Sequence, residues 1–595
     1  MRKFGLANVS VAVGIGTATI LAFACGNDFQ ESSFTDPNGG DGGNGNGFGD
    51  GASSEGGGPL GQPSPSDTCN GKPCANYTGP KDFVEPGAPD NAGTIFGGAN
   101  ASPNGTDAAK EPGIIYPSHE TMFPMNVSHI RHDWSGGGTN NLFRLVFDGP
   151  KTKVTIYTTK KDWEPTDEQW DWIAESNRGG VVKLTVTALD TAAPTTAYTS
   201  KSIDELFSVA EVPGAIYYWS TGSAGVMRAL ISETVPQKFY TDPTATDANT
   251  CVACHTVSRD GKRLAVGYGG EKLKEVGIPD RNAIVPATGA PTREMGWTTF
   301  SPDGKLLLVA SKGVLTLIDS DTGAPVGANN GIVPLDATQK ATHPDWSGLG
   351  DQVVVTLAPA VGNKDVKAGG AIALIPYNNG AWGAPNVIVP SSGDNNFFPA
   401  FSPDNKWIVY VSAVGTSKDQ KTAKLRIVPV TGGTPKDLVR LNGRVNNVDG
   451  VTGIGNSMPR WAPSTKPGVF WLAFSSVRAY SILRPQDDKM DQIWIGAVDT
   501  NAADPSYAGF WAPFQAMPEG NHRPFWAVVA GDKNCGCVDI CGDGIDNDCD
   551  GVADGPNCVT CAATEIPNNG KDDNCDCVVD NVVACDPDDP ACTVK

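Results

Sequence analysis

The chain has 595 residues with a formal net charge of -21, and it carries 71 Gly, 45 Pro and 15 Cys. That length accommodates three or four domains, and so much Gly and Pro points to many turns and few long helices. The acidic balance excludes a nucleic-acid partner and adsorption to anionic lipid, because a phosphate surface calls for a basic patch.

At the N-terminus, Met1-Arg2-Lys3 forms a positive flank and Val9 to Phe23 an apolar stretch that ends in small residues around a cysteine. This is the pattern of a signal peptide over 1–25, too short for a stop-transfer helix, which needs about 20 apolar residues. Leu21-Ala22-Phe23-Ala24-Cys25 resembles the bacterial lipobox, with the usual Leu displaced by one place. The resemblance implies that Cys25 becomes the mature N-terminus and carries lipid, a membrane anchor; the alternative is a plain cleaved signal with a free thiol. Parity favours lipid, since one acylated residue out of 15 Cys leaves an even number to pair. Asp28 stands three places after Cys25, so the best-known inner-membrane retention signal is absent and the outer membrane is the expected destination. Residues 26–80 read as a tether rich in Gly, Asp and Ser, with Cys69 and Cys74 placed for a local disulfide.

Over 108–245 short alternating segments predict strands, among them Leu142 to Phe147, Val154 to Tyr157, Val181 to Val186 and Ala215 to Trp219. One helix interrupts them, opened by Thr166 with Gln169 as a capping box, stopped at Gly179-Gly180, and facing Trp170 and Ile173 inward. A β-sandwich of immunoglobulin or fibronectin type is the expected packing. His119, His129 and His132 are expected on surface loops rather than around a metal, as no Cys or paired carboxylates complete a ligand set.

From 246 to 530 a repeat appears. Ser258-Arg259-Asp260-Gly261-Lys262 is echoed by Ser301-Pro302-Asp303-Gly304-Lys305 and by Ser402-Pro403-Asp404-Asn405-Lys406, with weaker copies at His343 to Ser347, Pro459 to Pro463 and His522 to Trp526. Each makes a tight turn, Pro setting one φ and Gly a positive one, between an aromatic strand and an aliphatic strand. One such unit cannot bury its own face, so about six copies must close radially into about six blades. The fold class expected is all-β, a six-bladed β-propeller preceded by a sandwich. The repeat resembles the TolB-like propeller motif, and Phe474-Ser475-Ser476-Val477-Arg478 is similar to its second signature. The resemblance speaks for fold and leaves function open.

Cys251-Val252-Ala253-Cys254-His255 matches the attachment site of haem c, in which two thiols form thioethers and the imidazole binds iron. The alternative is a short Cys251–Cys254 disulfide pinning the first propeller strand. Exported TolB-like proteins carry this motif just before the first turn, which the resemblance sets beside the haem reading.

The tail, 531–595, holds ten Cys and fifteen acidic against three basic residues. It contains two related loops. In the first, Asp546, Asp548, Asp550 and Asp554 fall at places suited to Ca²⁺; in the second, Asp572, Asn574, Asp576 and Asp580 do so less completely. The loops resemble the MopE-type Cys/Asp-rich repeat, which implies metal binding on a disulfide-stapled module. No Gly-x-Ser-x-Gly elbow, Walker loop or His-Glu-x-x-His occurs. Three functions remain: a scaffold binding a protein, glycan or peptide partner; a haem redox protein; and, least supported, a propeller hydrolase or lyase.

Overall fold

The computed structural model describes residues 68–529 apart from 70–71, 103–104, 128, 242–251, 269–271, 279–280, 287–292, 363, 419–420, 464–468 and 485–489. Cys25, Cys251 and both tail loops lie outside the described residues. The chain is an all-β protein built round a β-propeller.

Six small sheets make the ring. Five are consecutive in the chain, with inner strands Val252–Val257, Trp297–Phe300, Lys340–Trp346, Asn395–Phe401 and Ser457–Trp461. Each is followed by antiparallel strands stepping outward. The sixth blade joins distant parts of the chain. Its inner strand is Asn521–Ala527, paired antiparallel with Ala215–Ser220, after which come Gly225–Leu230 and Gln237–Tyr240. The inner strands pack in cyclic order, the last against the first. The ring is therefore closed by one strand from the end of the propeller completing a sheet begun before it.

This corrects the expected boundary. Ala215 to Trp219 was expected in the sandwich, but the strand belongs to the propeller. All six residues of Ala215–Ser220 are buried, and a strand buried on both faces has no alternation from which to read its sheet.

The turn motif works as its residues require. In the first blade the Ser258 hydroxyl donates to Asp260 at 2.6 Å and accepts from the Arg263 amide at 2.9 Å, while Asp260 also accepts from the Lys262 amide at 3.1 Å. In the second blade Ser301, Asp303, Lys305 and Leu306 repeat this at 2.7, 3.1 and 2.9 Å. Gly261 and Gly304 take φ of 67° and 68°, the left-handed region that a side chain resists.

Before the propeller lie a two-stranded ribbon, Thr68–Cys69 with Lys72–Pro73, and two larger sheets. One is eight-stranded and mixed, running from Gly79–Val84 through Thr152–Thr158, Leu142–Asp148, Val181–Leu189 and Thr196–Thr199 to Asn100–Ser102, with Ile203–Phe207 and Thr121–Phe123 off that path. The other joins Pro112–Tyr116, His132–Gly136 and Asp162–Trp163. They meet through Trp134 on Phe143 and Trp163 on Phe147. The mixed sheet contains three parallel pairs, so it departs from the antiparallel immunoglobulin pattern, and it begins at 79 rather than 108. The helix Asp167–Ile173 carries the capping box between Thr166 and Gln169, with Trp170 and Ile173 buried.

This unit sits against the fifth blade on the side away from the turns. Thr121 bridges Ala508, Phe123 packs on Phe510, and Tyr116 meets Tyr480 edge-on at 5.0 Å. Glu120 accepts from Arg440 and Arg444 at 2.7 and 2.6 Å. Among the described residues, none closes the turn-side mouth of the ring.

Candidate functional site

Four inner strands share a local distortion. His343, Phe398, Met458 and Arg523 have φ of 50°, 51°, 51° and 58°, and each is followed by Pro. The pairing register slips at each of these places. A left-handed residue before Pro is doubly disfavoured, and a bulge re-aims a side chain out of the pleat. Here the bulges deliver side chains from several blades to one place on the axis. Cys254, at φ 48° with the same slip, is the counterpart in the first blade.

Two connected spaces result. A funnel of about 80 Å³ opens among the turn-side ends of the inner strands, lined by Arg259, Asp345, Phe401, Arg460, Trp461 and Phe525 among others. Behind it a chamber of about 20 Å³ is lined by Trp297, His343, Phe398, Met458 and Arg523, and shares Arg460 and Phe525 with the funnel. Arg460 stands between them. Its guanidinium lies 4.9 Å from the Phe525 ring centroid and donates to Asp345 at 2.7 Å, whose other oxygen accepts from the Phe401 amide at 2.8 Å. Arg259, on the first turn, donates to the Trp346 carbonyl at 2.7 Å and so reaches from the first blade to the third.

In the chamber, the Arg523 guanidinium lies over Trp297, 3.9 Å from the ring centroid. Trp297 meets His343 at 4.8 Å and Phe398 at 4.9 Å. Burial pushes the His343 pKa well below the ordinary imidazole value. Burial, then the charge of Arg523, pushes that of His522 down to about 4. Both rings are neutral at pH 7.

The sequence pointed to Cys251, Cys254 and His255. Of these, Cys254 is disulfide-bonded and 2% exposed, and His255 is 1% exposed. The His255 Nε2–H donates to the Tyr217 carbonyl at 3.1 Å, while its Nδ1 is buried without a partner. Burial foremost, and Arg523 next, push its pKa down to about 3. A haem needs two free thiols and an imidazole nitrogen facing the iron. As disposed, the residues would have to rearrange to hold that group: the Cys254 sulfur is engaged in a disulfide and the His255 Nε2–H is bonded to the Tyr217 carbonyl. What His255 does is join the first blade to the sixth, at the seam where the ring closes.

The early histidines are not brought together. His119 Nδ1 accepts from the Asp204 amide at 3.0 Å, His129 lies half-exposed near Glu164, and His132 is buried with Nε2 3.1 Å from Glu205. The burial of His132 corrects its expected place on a surface loop: it opens the strand His132–Gly136, whose first three residues are buried. No group of three metal-ligating side chains occurs among the described residues. The expected disulfide Cys69–Cys74 is formed, with a Cα–Cα distance of 4.8 Å.

The axial residues Trp297, Arg460 and Arg523 were not singled out as a site by sequence. The available signal was the residue-Pro pair that recurs ahead of the weaker turn copies.

No protein-family model matches the chain, and no curated protein matches it. Among solved structures it is similar to dihydro-haem d1 dehydrogenase NirN in complex with DHE, at 14% identity over 50% of this chain and 53% of that one, TM-score 0.30. It is also similar to a nidogen/laminin complex, at 9% identity over 53% and 98%, TM-score 0.34, and to the Dos1 propeller, at 11% over 51% and 81%, TM-score 0.30. The chain spans about half the length of the NirN chain. The likeness is one of fold alone.

Proposed function

We propose that this protein is a lipid-anchored envelope lipoprotein whose propeller binds a protein or glycan partner through its turn-side funnel. The observation that carries the reading is the funnel itself, open at the turn end and ringed by aromatic and guanidinium side chains. Aromatic and Arg side chains are what recognition surfaces are enriched in. The opposite side of the fifth blade is taken by the N-terminal sheets.

The tail loops from Asp546 to Asp580 extend this picture as Ca²⁺-holding modules. Nothing in the disposition of Cys254 and His255 favours the redox alternative, and no nucleophile–base pair among the described residues marks the funnel as hydrolytic.

Two measurements test the reading. Cys25→Ser is expected to release the exported protein from the membrane fraction, and retention there would place the anchor elsewhere. The released form, screened on glycan and peptide arrays, is expected to bind in a way that Arg259→Glu at the funnel rim weakens at least about fivefold. Lys153→Glu, on the exposed N-terminal sheet, is expected to leave binding unchanged. Binding sensitive to Lys153→Glu and indifferent to Arg259→Glu would put the partner on the other face.

A further inference from the structure

We propose that the chamber behind the funnel is a binding site for a carboxylate group, received by Arg523. This rests on the funnel as the partner-facing side and names the chemistry that it admits.

Arg523 is 8% exposed, and its Nη1 is buried with no hydrogen-bond partner. No acidic side chain among the described residues forms an ion pair with it. The nearest candidate lining these spaces, Asp345, is already held by Arg460 and by the Phe401 amide. The π face of the guanidinium rests on Trp297, which leaves the in-plane N–H fork as its free valence. That fork matches the two oxygens of a carboxylate.

The charge around it is one-sided. Arg460 and Arg523 face one carboxylate, Asp345, so the axis carries a net positive charge in a chain of net charge -21. The imidazoles of His343 and His522, both neutral at pH 7, add nothing to that balance. Burial and the Arg460 charge push the Arg523 pKa well below its ordinary range, as expected for a cation held without a counter-ion.

A buried charge without a partner is destabilising. Arg523 is also held at φ 58° before Pro524, a second cost that the fold sustains. Strain and unpaired charge at one residue, aimed into a chamber that opens to solvent through the funnel, are the marks of a preorganised anion site. The chamber, about 20 Å³, admits the carboxylate head of a ligand between Trp297 and Phe398, while the rest of the ligand stays in the funnel of about 80 Å³.

The test titrates the purified full-length chain with acetate, glucuronate and N-acetylglycine by calorimetry, in parallel with Trp fluorescence. Glucose and N-acetylglycinamide serve as neutral analogues. The expected result is saturable binding of at least one of the carboxylates, none of the neutral analogues, and an affinity at least about tenfold weaker in Arg523→Gln. Arg523→Lys is expected to fall between, because it keeps the charge and loses the fork. Preference for glucuronate identifies a sugar acid as the source, and preference for N-acetylglycine a peptide end.

Absence of saturable binding by all three acids, or undiminished binding by folded Arg523→Gln, overturns the proposal. Should Arg523→Gln fail to fold, the wild-type contrast between acids and neutral analogues decides: equal binding of both also overturns it. Carboxylate binding that fails while array binding still responds to Arg259→Glu removes this inference alone. Failure of both removes the funnel reading with it.

Discussion

Replacing His255 with Ala removes the Nε2–H that donates to the Tyr217 carbonyl across the seam between the first and sixth blades. Tyr217 lies in a strand buried throughout, so no water replaces the lost donor. An orphaned buried acceptor costs about 1–3 kcal/mol. A void of roughly 60 Å³, at about 24 cal/mol per Å³, adds about 1.5 kcal/mol. Against this, the wild-type ring already buries Nδ1 without a partner, and its removal returns about 1 kcal/mol. The net expectation is a loss of about 1.5–3.5 kcal/mol, a large share of the about 5–15 kcal/mol that holds a domain folded. The assay is chemical denaturation followed by Trp emission, with limited proteolysis to locate the weakened region. His255→Gln, which keeps a donor, is expected to recover about half of the loss. A midpoint for His255→Ala equal to that of the wild type would refute the seam role of this side chain.

Acid should expose the buried imidazoles. His255, His343 and His522 refuse protons in the folded state that the unfolded chain accepts near pH 6.5, so their contribution falls as pH drops below about 6.5 and is constant above it. Glu275, pushed up to about 7 by burial, and Asp171, up to about 6, act in the opposite sense over the same range. The clean readout is therefore a difference: between pH 6 and 5, His522→Gln should show a stability slope shallower than the wild type by up to about 1.4 kcal/mol per pH unit. Equal slopes would contradict the burial of a neutral ring there. Ending the chain after Gly520 deletes the inner strand of the sixth blade and should abolish cooperative unfolding, while ending it after Val529 should preserve it; equal behaviour of the two would mean that Asn521–Ala527 does not close the ring. Chelation of Ca²⁺ should make the tail after residue 530 protease-sensitive, an effect that Asp546→Asn with Asp548→Asn should mimic, and a tail indifferent to both would not be a cation module.

The blade turns were legible because their chemistry is local. Ser, Asp and Gly at fixed spacing satisfy one another within five residues, so the motif marks each blade wherever it occurs. The capping box at Thr166 and Gln169 was legible for the same reason. The strand Ala215–Ser220 was recognisable as a strand and not assignable to its sheet, since its partner lies some three hundred residues later and neither face is polar. Closure of the ring is thus a long-range property that no window of sequence contains.

The candidate site divides in the same way. Cys254 and His255 stood out by spacing, yet the side chains around them give the motif a role at the seam, through a carbonyl that only the closed ring brings near. Arg523 and Trp297 come from different blades and meet only on the axis. Their sequence signature, a residue forced left-handed before Pro, becomes visible once the bulges are seen to recur.

The role proposed for the propeller is partner binding without electron transfer. It is tested most directly by exporting the chain together with haem-attachment machinery and analysing the peptide that spans Cys251 to His255 by absorbance, haem staining and mass. The account predicts a colourless product in which Cys251 and Cys254 are joined as a disulfide. Covalent haem on that peptide would contradict it.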